Sequence, residues 1–101
     1  MDPERISDFN ISDVVISTAG RDKDELFYVI AEEEQFLILA NGKDRTLDKP
    51  KRKKQKHVQK VLRSETRVAE KLRLGDKVLN GELRRDLAYL ASQLQANNLG
   101  G

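Results

Sequence analysis

The sequence predicts a mainly β domain followed by two α-helices. Three observations carry this expectation: short β-branched and aromatic runs within residues 14–40, an Asn41-Gly42 pair after the third run, and helical spacing of apolar residues from Ser64 onward. A chain of 101 residues is expected to form one core. With 38% apolar and 36% charged residues, that core is small and lies under a heavily ionised surface.

The first strand is expected at Val14-Val15-Ile16-Ser17, ended by Ala19-Gly20 and followed by the polar loop Gly20 to Glu25. Leu26 to Ala31 is aromatic, β-branched and too short for an ordinary helix, so it reads as the second strand. Glu32-Glu33-Glu34 then connects to a third strand, Gln35 to Ala40. Asn41-Gly42 suits a type I′ turn, because both central residues of that turn need positive φ. The return strand is expected at Lys43 to Leu47, polar as edge strands often are, with Pro50 ending it. A last short strand is expected around Lys56 to Gln59.

Ser64 is a candidate N-cap for a helix running to Leu74, with Val68, Ala69 and Leu72 on one face and Gly75 as the stop. Asn80 can cap a second helix from Gly81 to about Gln95, striped by Leu83, Leu87, Leu90 and Leu94. Residues 97–101 read as a tail. The second and third strands are apolar on both faces, so both need cover. One face fills a small barrel, and the leucine stripe is the nearest supply for the other. A homodimer contact would serve equally well.

Composition also removes several kinds of chemistry. The chain has no cysteine, which excludes disulfide frameworks, thiol nucleophiles and zinc–thiolate sites. His57 is the one histidine, too little for a histidine metal site or a triad. Glu32-Glu33-Glu34 is a solvated turn, since adjacent residues in an extended segment point to opposite faces. Gly20-Arg21-Asp22-Lys23 lacks the glycine and lysine spacing of a nucleotide loop. No apolar run approaches the roughly 18 residues of a membrane span, and Asp2 and Glu4 precede any apolar stretch, unlike a signal peptide. The expectation is a cytoplasmic, non-enzymatic domain without metal or cofactor.

Net charge is +2, an average over unlike segments. Residues 1–42 hold ten acids against three bases, and residues 43–63 hold ten bases against two acids. The run Lys49-Pro50-Lys51-Arg52-Lys53-Lys54-Gln55-Lys56-His57 lies in the second segment. Like charges repel, so a polyanion that neutralises them is the expected partner, and phosphate backbones release counterions on binding. No aromatic residue interrupts the run, so stacking on single strands has no obvious platform. Structured, double-helical RNA read by shape is the expected ligand.

Asp13 to Lys23 followed by an apolar strand resembles a KOW motif. With Phe36 to Gly42, Arg45 and the basic run, the chain is similar to small bacterial KOW-domain RNA-binding proteins related to the fourteen-e type large-subunit ribosomal proteins. The helix start Asn80 to Arg85 is similar to a C-terminal extension in that group. Ser12 and Asp24 stand where that motif carries glycine. The resemblance implies an SH3-like β-barrel over residues 11–60, an extension over 1–10 and helices over 64–96. It also implies binding of ribosomal RNA, with Gly20 as the motif glycine and ribosomal proteins as neighbours. The expected RNA contacts are Arg21, Lys23, Lys43, Arg45, Lys49, Lys51, Arg52, Lys53, Lys54, Lys56, His57 and Lys60. The rival expectation is a protein-interaction module using the apolar hairpin or the leucine stripe, as KOW domains of transcription elongation factors can do.

Overall fold

The β-branched and aromatic runs form strands where they were expected. A computed structural model describes residues 8–100, with β1 at Asp13–Ser17, β2 at Leu26–Glu33 and β3 at Phe36–Ala40. Then come β4 (Lys51–Lys54), a 3-10 turn (Gln55–His57), β5 (Val58–Arg63), α1 (Arg67–Leu74) and α2 (Asn80–Gly100). Asp2, Glu4 and most of the extension at 1–10, together with Gly101, lie outside the described residues. No helix among the described residues is long and apolar enough to cross a membrane.

The strands pair antiparallel in the order β4-β3-β2-β1-β5. This sheet is open: β4 and β5 are its edges, and no ladder joins them among the described residues. The closed SH3-like barrel implied by the KOW resemblance is therefore absent. The architecture is mixed α/β, an open five-stranded sheet with two C-terminal helices. Composition accounts for one edge. β4 consists of three lysines and an arginine, residues that blunt an edge against further pairing, and the chain leaves it through the 3-10 turn.

Cross-strand register sorts the core into two clusters. Val14, Tyr28 and Ala40 are opposite one another on one face, where Ala69 of α1 and Leu83, Leu87 and Leu90 of α2 cover them. Val15, Phe27, Val29, Leu37, Leu39 and Val58 form the other cluster, with Phe9 packed against it. Leu83, Leu87 and Leu90 of the stripe thus lie inside the chain's own core, while Leu94 is half-buried outside it.

The hairpin after β3 differs from its expected form. Gly42 has φ +77, but Asn41 is not among the residues with positive φ, so the turn is not type I′. Residues 41–50 form a loop, and the return strand is β4 rather than Lys43 to Leu47. The Asn41 side chain explains the change: its Oδ1 accepts the Lys43 and Arg45 N–H groups at 2.9 and 3.0 Å. These bonds satisfy the backbone locally and divert it from a ladder. Pro50 precedes β4 instead of ending a strand, and the last strand starts at Val58.

Helix ends were also reassigned by tertiary contacts. Thr66, not Ser64, caps α1 by accepting the Ala69 N–H at 3.2 Å. Asn80 does not cap α2; its Oδ1 accepts the Leu47 N–H at 2.8 Å, tying the 41–50 loop to the helix. Glu82 reaches back instead and accepts the Leu79 N–H at 2.9 Å. α2 also continues through residues 97–100, beyond its expected end.

Ser64 joins a polar node between sheet and helices. The buried Tyr28 hydroxyl donates to Asp86 Oδ2 and lies 2.8 Å from Ser64 Oγ, while Thr66 Oγ1 donates to the same Asp86 oxygen at 2.8 Å. Burial and the Asp86 carboxylate push the Tyr28 hydroxyl up from 10.0 to about 12. The folded state holds this proton more tightly than the unfolded chain does. The resulting stabilisation is full below pH 10.0 and is lost as pH rises towards about 12. Tyr28→Phe should cost roughly 1–3 kcal/mol in urea denaturation and flatten part of the alkaline loss. Gly42→Ala should cost roughly 2–4 kcal/mol, because it combines positive-φ strain with overpacking. Its added Cβ would sit 2.3 Å from the Asn80 carbonyl oxygen and 2.9 Å from the Arg84 nitrogen, and a lowered urea midpoint would measure the loss.

Candidate nucleic-acid interface

The loop between β1 and β2 folds inward on its own backbone. Lys23 N–H donates to Gly20 O at 3.2 Å, Asp24 N–H to Ser17 O at 2.8 Å, and Ser17 N–H to Glu25 O at 3.0 Å. Both positions that depart from glycine, Ser12 and Asp24, adopt positive φ, at 77° and 76°. This path buries Asp22, whose Oδ1 accepts from Ser17 Oγ at 2.7 Å.

Two lysines of the basic run converge on that carboxylate. Lys53 Nζ lies 2.8 Å from Asp22 Oδ1 and 2.8 Å from Ala19 O, and its side chain is only 10% exposed. Lys51 Nζ lies 3.4 Å from Asp22 Oδ2. Burial alone would raise Asp22, but the Lys53 and Ser17 hydrogen bonds and the two lysine charges hold it down at about 2. Gly20 supports this path through its φ of +86, a conformation that side chains rarely adopt.

Other cations of the segment have acidic partners too. Lys60 Nζ is 3.1 Å from buried Asp13, Arg52 Nε is 3.0 Å from Glu33, and Arg63 Nε is 3.2 Å from Glu65. The fold itself therefore neutralises part of this charge, which was expected to await a polyanion. Alternation along β4 sends Lys51 and Lys53 to Asp22 and leaves Arg52 and Lys54 exposed.

Arg21, Lys23, Lys43, Arg45, Lys49, Lys54 and Lys56 are exposed and form no ion pair within 4.0 Å among the described residues. The Asn41 hydrogen bond and the charges of Lys43 and Arg45 nevertheless hold exposed Asp44 down, and the Thr46 hydrogen bond and the Lys49 charge do the same to Asp48. Apart from Lys23, these bases fall into two groups. Arg21 and Arg45 line a depression of about 220 Å³ with Lys51, above Phe27 and beside Asp22, Glu25 and Asp44. Lys43 and Lys49 project from the 41–50 loop, whose Asn41 and Gly42 N–H groups both donate to Arg45 O. Arg84 of α2 joins this group through a 3.3 Å bond to Gly42 O. Sequence reasoning missed Arg84, since only the docking of α2 brings it there.

The second group, Lys54 and Lys56, lines a depression of about 290 Å³ with Glu34, Gln35 and Gln55. Nearby, the Arg52 guanidinium lies 3.6 Å from the centroid of the Phe36 ring. An aromatic side chain is thus placed against the basic run after all, supplied by the neighbouring strand. His57 is half-buried, and its carbonyl accepts the Thr18 N–H at 2.9 Å.

Among the described residues, no group of three acidic or imidazole side chains is placed to share a metal ion. A scan against protein-family models and a search of curated proteins both return no match. Membership of the KOW family is thus supported neither by the fold nor by these comparisons.

The Asp22 cluster yields a pH-dependent expectation. Its depressed ionisation stabilises the fold above 3.8, the ordinary value, and that stabilisation is lost as pH falls towards about 2. Asp22→Asn should cost roughly 2 kcal/mol at neutral pH, read from urea midpoints. The same variant should lose less stability than the parent on acidification.

Proposed function

We propose that this chain binds structured RNA, without catalysis, by contacting phosphates and 2′-hydroxyls from the sheet end that carries loops 18–25 and 41–50. The observation that carries this reading is the set of exposed bases that no close ion pair ties to the fold, Arg21, Lys23, Lys43, Arg45 and Lys49, with Arg84 beside them. Lys54 and Lys56 form a second basic patch at the other end of β4, beside the turn at residues 34–35. The acids lining the Arg21–Arg45 depression make this a patterned surface, suited to a phosphate path of defined spacing. Lys51, Lys53 and Lys60 serve the fold first, through Asp22 and Asp13. The protein-docking alternative has less support, because Leu83, Leu87 and Leu90 of the stripe already cover the Val14, Tyr28 and Ala40 part of the sheet face.

A salt titration of binding to an RNA hairpin tests the proposal. Four to six neutralised phosphates predict a slope of log K against log salt of roughly −3 to −5. Combined Lys43→Ala, Arg45→Ala and Arg84→Ala substitutions should weaken binding about tenfold or more and make the slope shallower, with the urea midpoint little changed. Lys53→Ala should show the opposite pattern, lowering the midpoint. A flat salt response, or unchanged affinity in the triple variant, would remove the basis of the reading.

A further inference from the structure

The sheet face covered by the helices is covered only in part. α1 and α2 pack over its Val14, Tyr28 and Ala40 portion. On the same face, register sets Phe36 opposite Glu33 and Lys54, and Ile38 opposite Ala31 and Arg52. None of these six belongs to the cluster under the helices. Phe36 and Ile38 are half-buried there, while Arg52 and Lys54 are exposed.

Within this strip the Arg52 guanidinium lies over an aromatic ring. It sits 3.6 Å from the Phe36 ring centroid, and its Nε donates to Glu33 Oε1 at 3.0 Å. The arginine side chain nevertheless remains 56% exposed. With the ring on one side and the Glu33 carboxylate at Nε, the guanidinium keeps exposed surface away from the ring. Guanidinium planes and aromatic rings are the surfaces on which unpaired bases stack in RNA recognition. Lys54 lies across from Phe36, and with Lys56 it lines the adjoining depression, within reach of the phosphates flanking such a base. The exposed Gln35 amide lines the same depression and can meet a base edge.

We infer that the Arg52–Phe36 stack, with Lys54 and Lys56, is a site for one unpaired nucleobase of a bulged or looped RNA. The inference rests on the RNA-binding reading above and adds to it a preference that phosphate contacts alone do not give. Phosphate contacts treat a duplex and a bulged duplex of equal length alike. The stack discriminates between them.

The test compares two RNA duplexes of the same length, one fully paired and one with a single bulged 2-aminopurine. The chain should bind the bulged duplex roughly tenfold more tightly and quench the 2-aminopurine fluorescence. Arg52→Lys keeps the charge and loses the plane, and Phe36→Leu keeps the apolar contact and loses the ring. Both variants should lose the preference and the quenching while binding the paired duplex as the parent does. Arg52 is a surface residue, so its variant reports on the stack even if Phe36→Leu perturbs the fold. Equal binding of the two duplexes by the parent, or an undiminished preference in Arg52→Lys, would overturn this inference and leave the RNA-binding reading standing. Binding to neither duplex would overturn both.

Discussion

The sheet and the helices of this protein meet at one hydroxyl group. Tyr28 comes from the central strand, Ser64 and Thr66 from the connection into α1, and Asp86 from the middle of α2. Removing the Tyr28 oxygen from water carries a desolvation cost, and these partners offset it only when all three segments are in place. The apolar contacts of Ala69, Leu83, Leu87 and Leu90 supply most of the driving force for docking the helices. Those contacts are non-directional. The hydroxyl network adds direction by selecting one rotation of α2 over the sheet. Through that rotation it also brings Asn80 to Leu47 and Arg84 to Gly42, so the form of the 41–50 loop depends on it.

A second constraint divides the basic run by the pleat of β4. Two lysines are held against Asp22, and the alternate positions face outward. The acid-rich first part of the sequence and its base-rich middle are thus joined as partners within the fold, through Asp13, Asp22 and Glu33. The charge left for a ligand is smaller than the segment total suggests, and it is concentrated at two places. This division also explains how a strand made only of cations remains in a sheet.

Much of this was legible from residue order. β1, β2 and β3 follow from β-branched and aromatic runs, and the buried leucine stripe follows from helical spacing, because both patterns report local geometry with one dominant solution. The boundaries that were misread share a different cause. Ser64, Asn41 and Asn80 each have side chains able to bond several groups. Residues distant in sequence, Tyr28 and Leu47, decide it for Ser64 and Asn80, and Asn41 bonds Lys43 and Arg45 within its own loop. The barrel was misread for a related reason. A resemblance over short motifs carries loop chemistry, whereas sheet closure depends on whether two edge strands meet. At the candidate interface the exposed bases could be found by counting. The Arg52–Phe36 stack and Arg84 could not, since each depends on strand register or on helix docking.

The strand order carries a consequence for how the chain assembles. β1 lies between β2 and β5, so its second neighbour is supplied only when Val58–Arg63 arrives. Closing that pairing brings Asp13 beside Arg63, across the whole intervening segment, and such long-range closure is the slow part of sheet formation. During synthesis, β1, β2, β3 and β4 can pair first, leaving the far side of β1 as a temporary edge while the opposite edge is already guarded by the cations of β4. The last strand and the helices that follow it then complete the molecule from the side that charge does not protect. The order of emergence thus matches the order in which exposed backbone has to be covered.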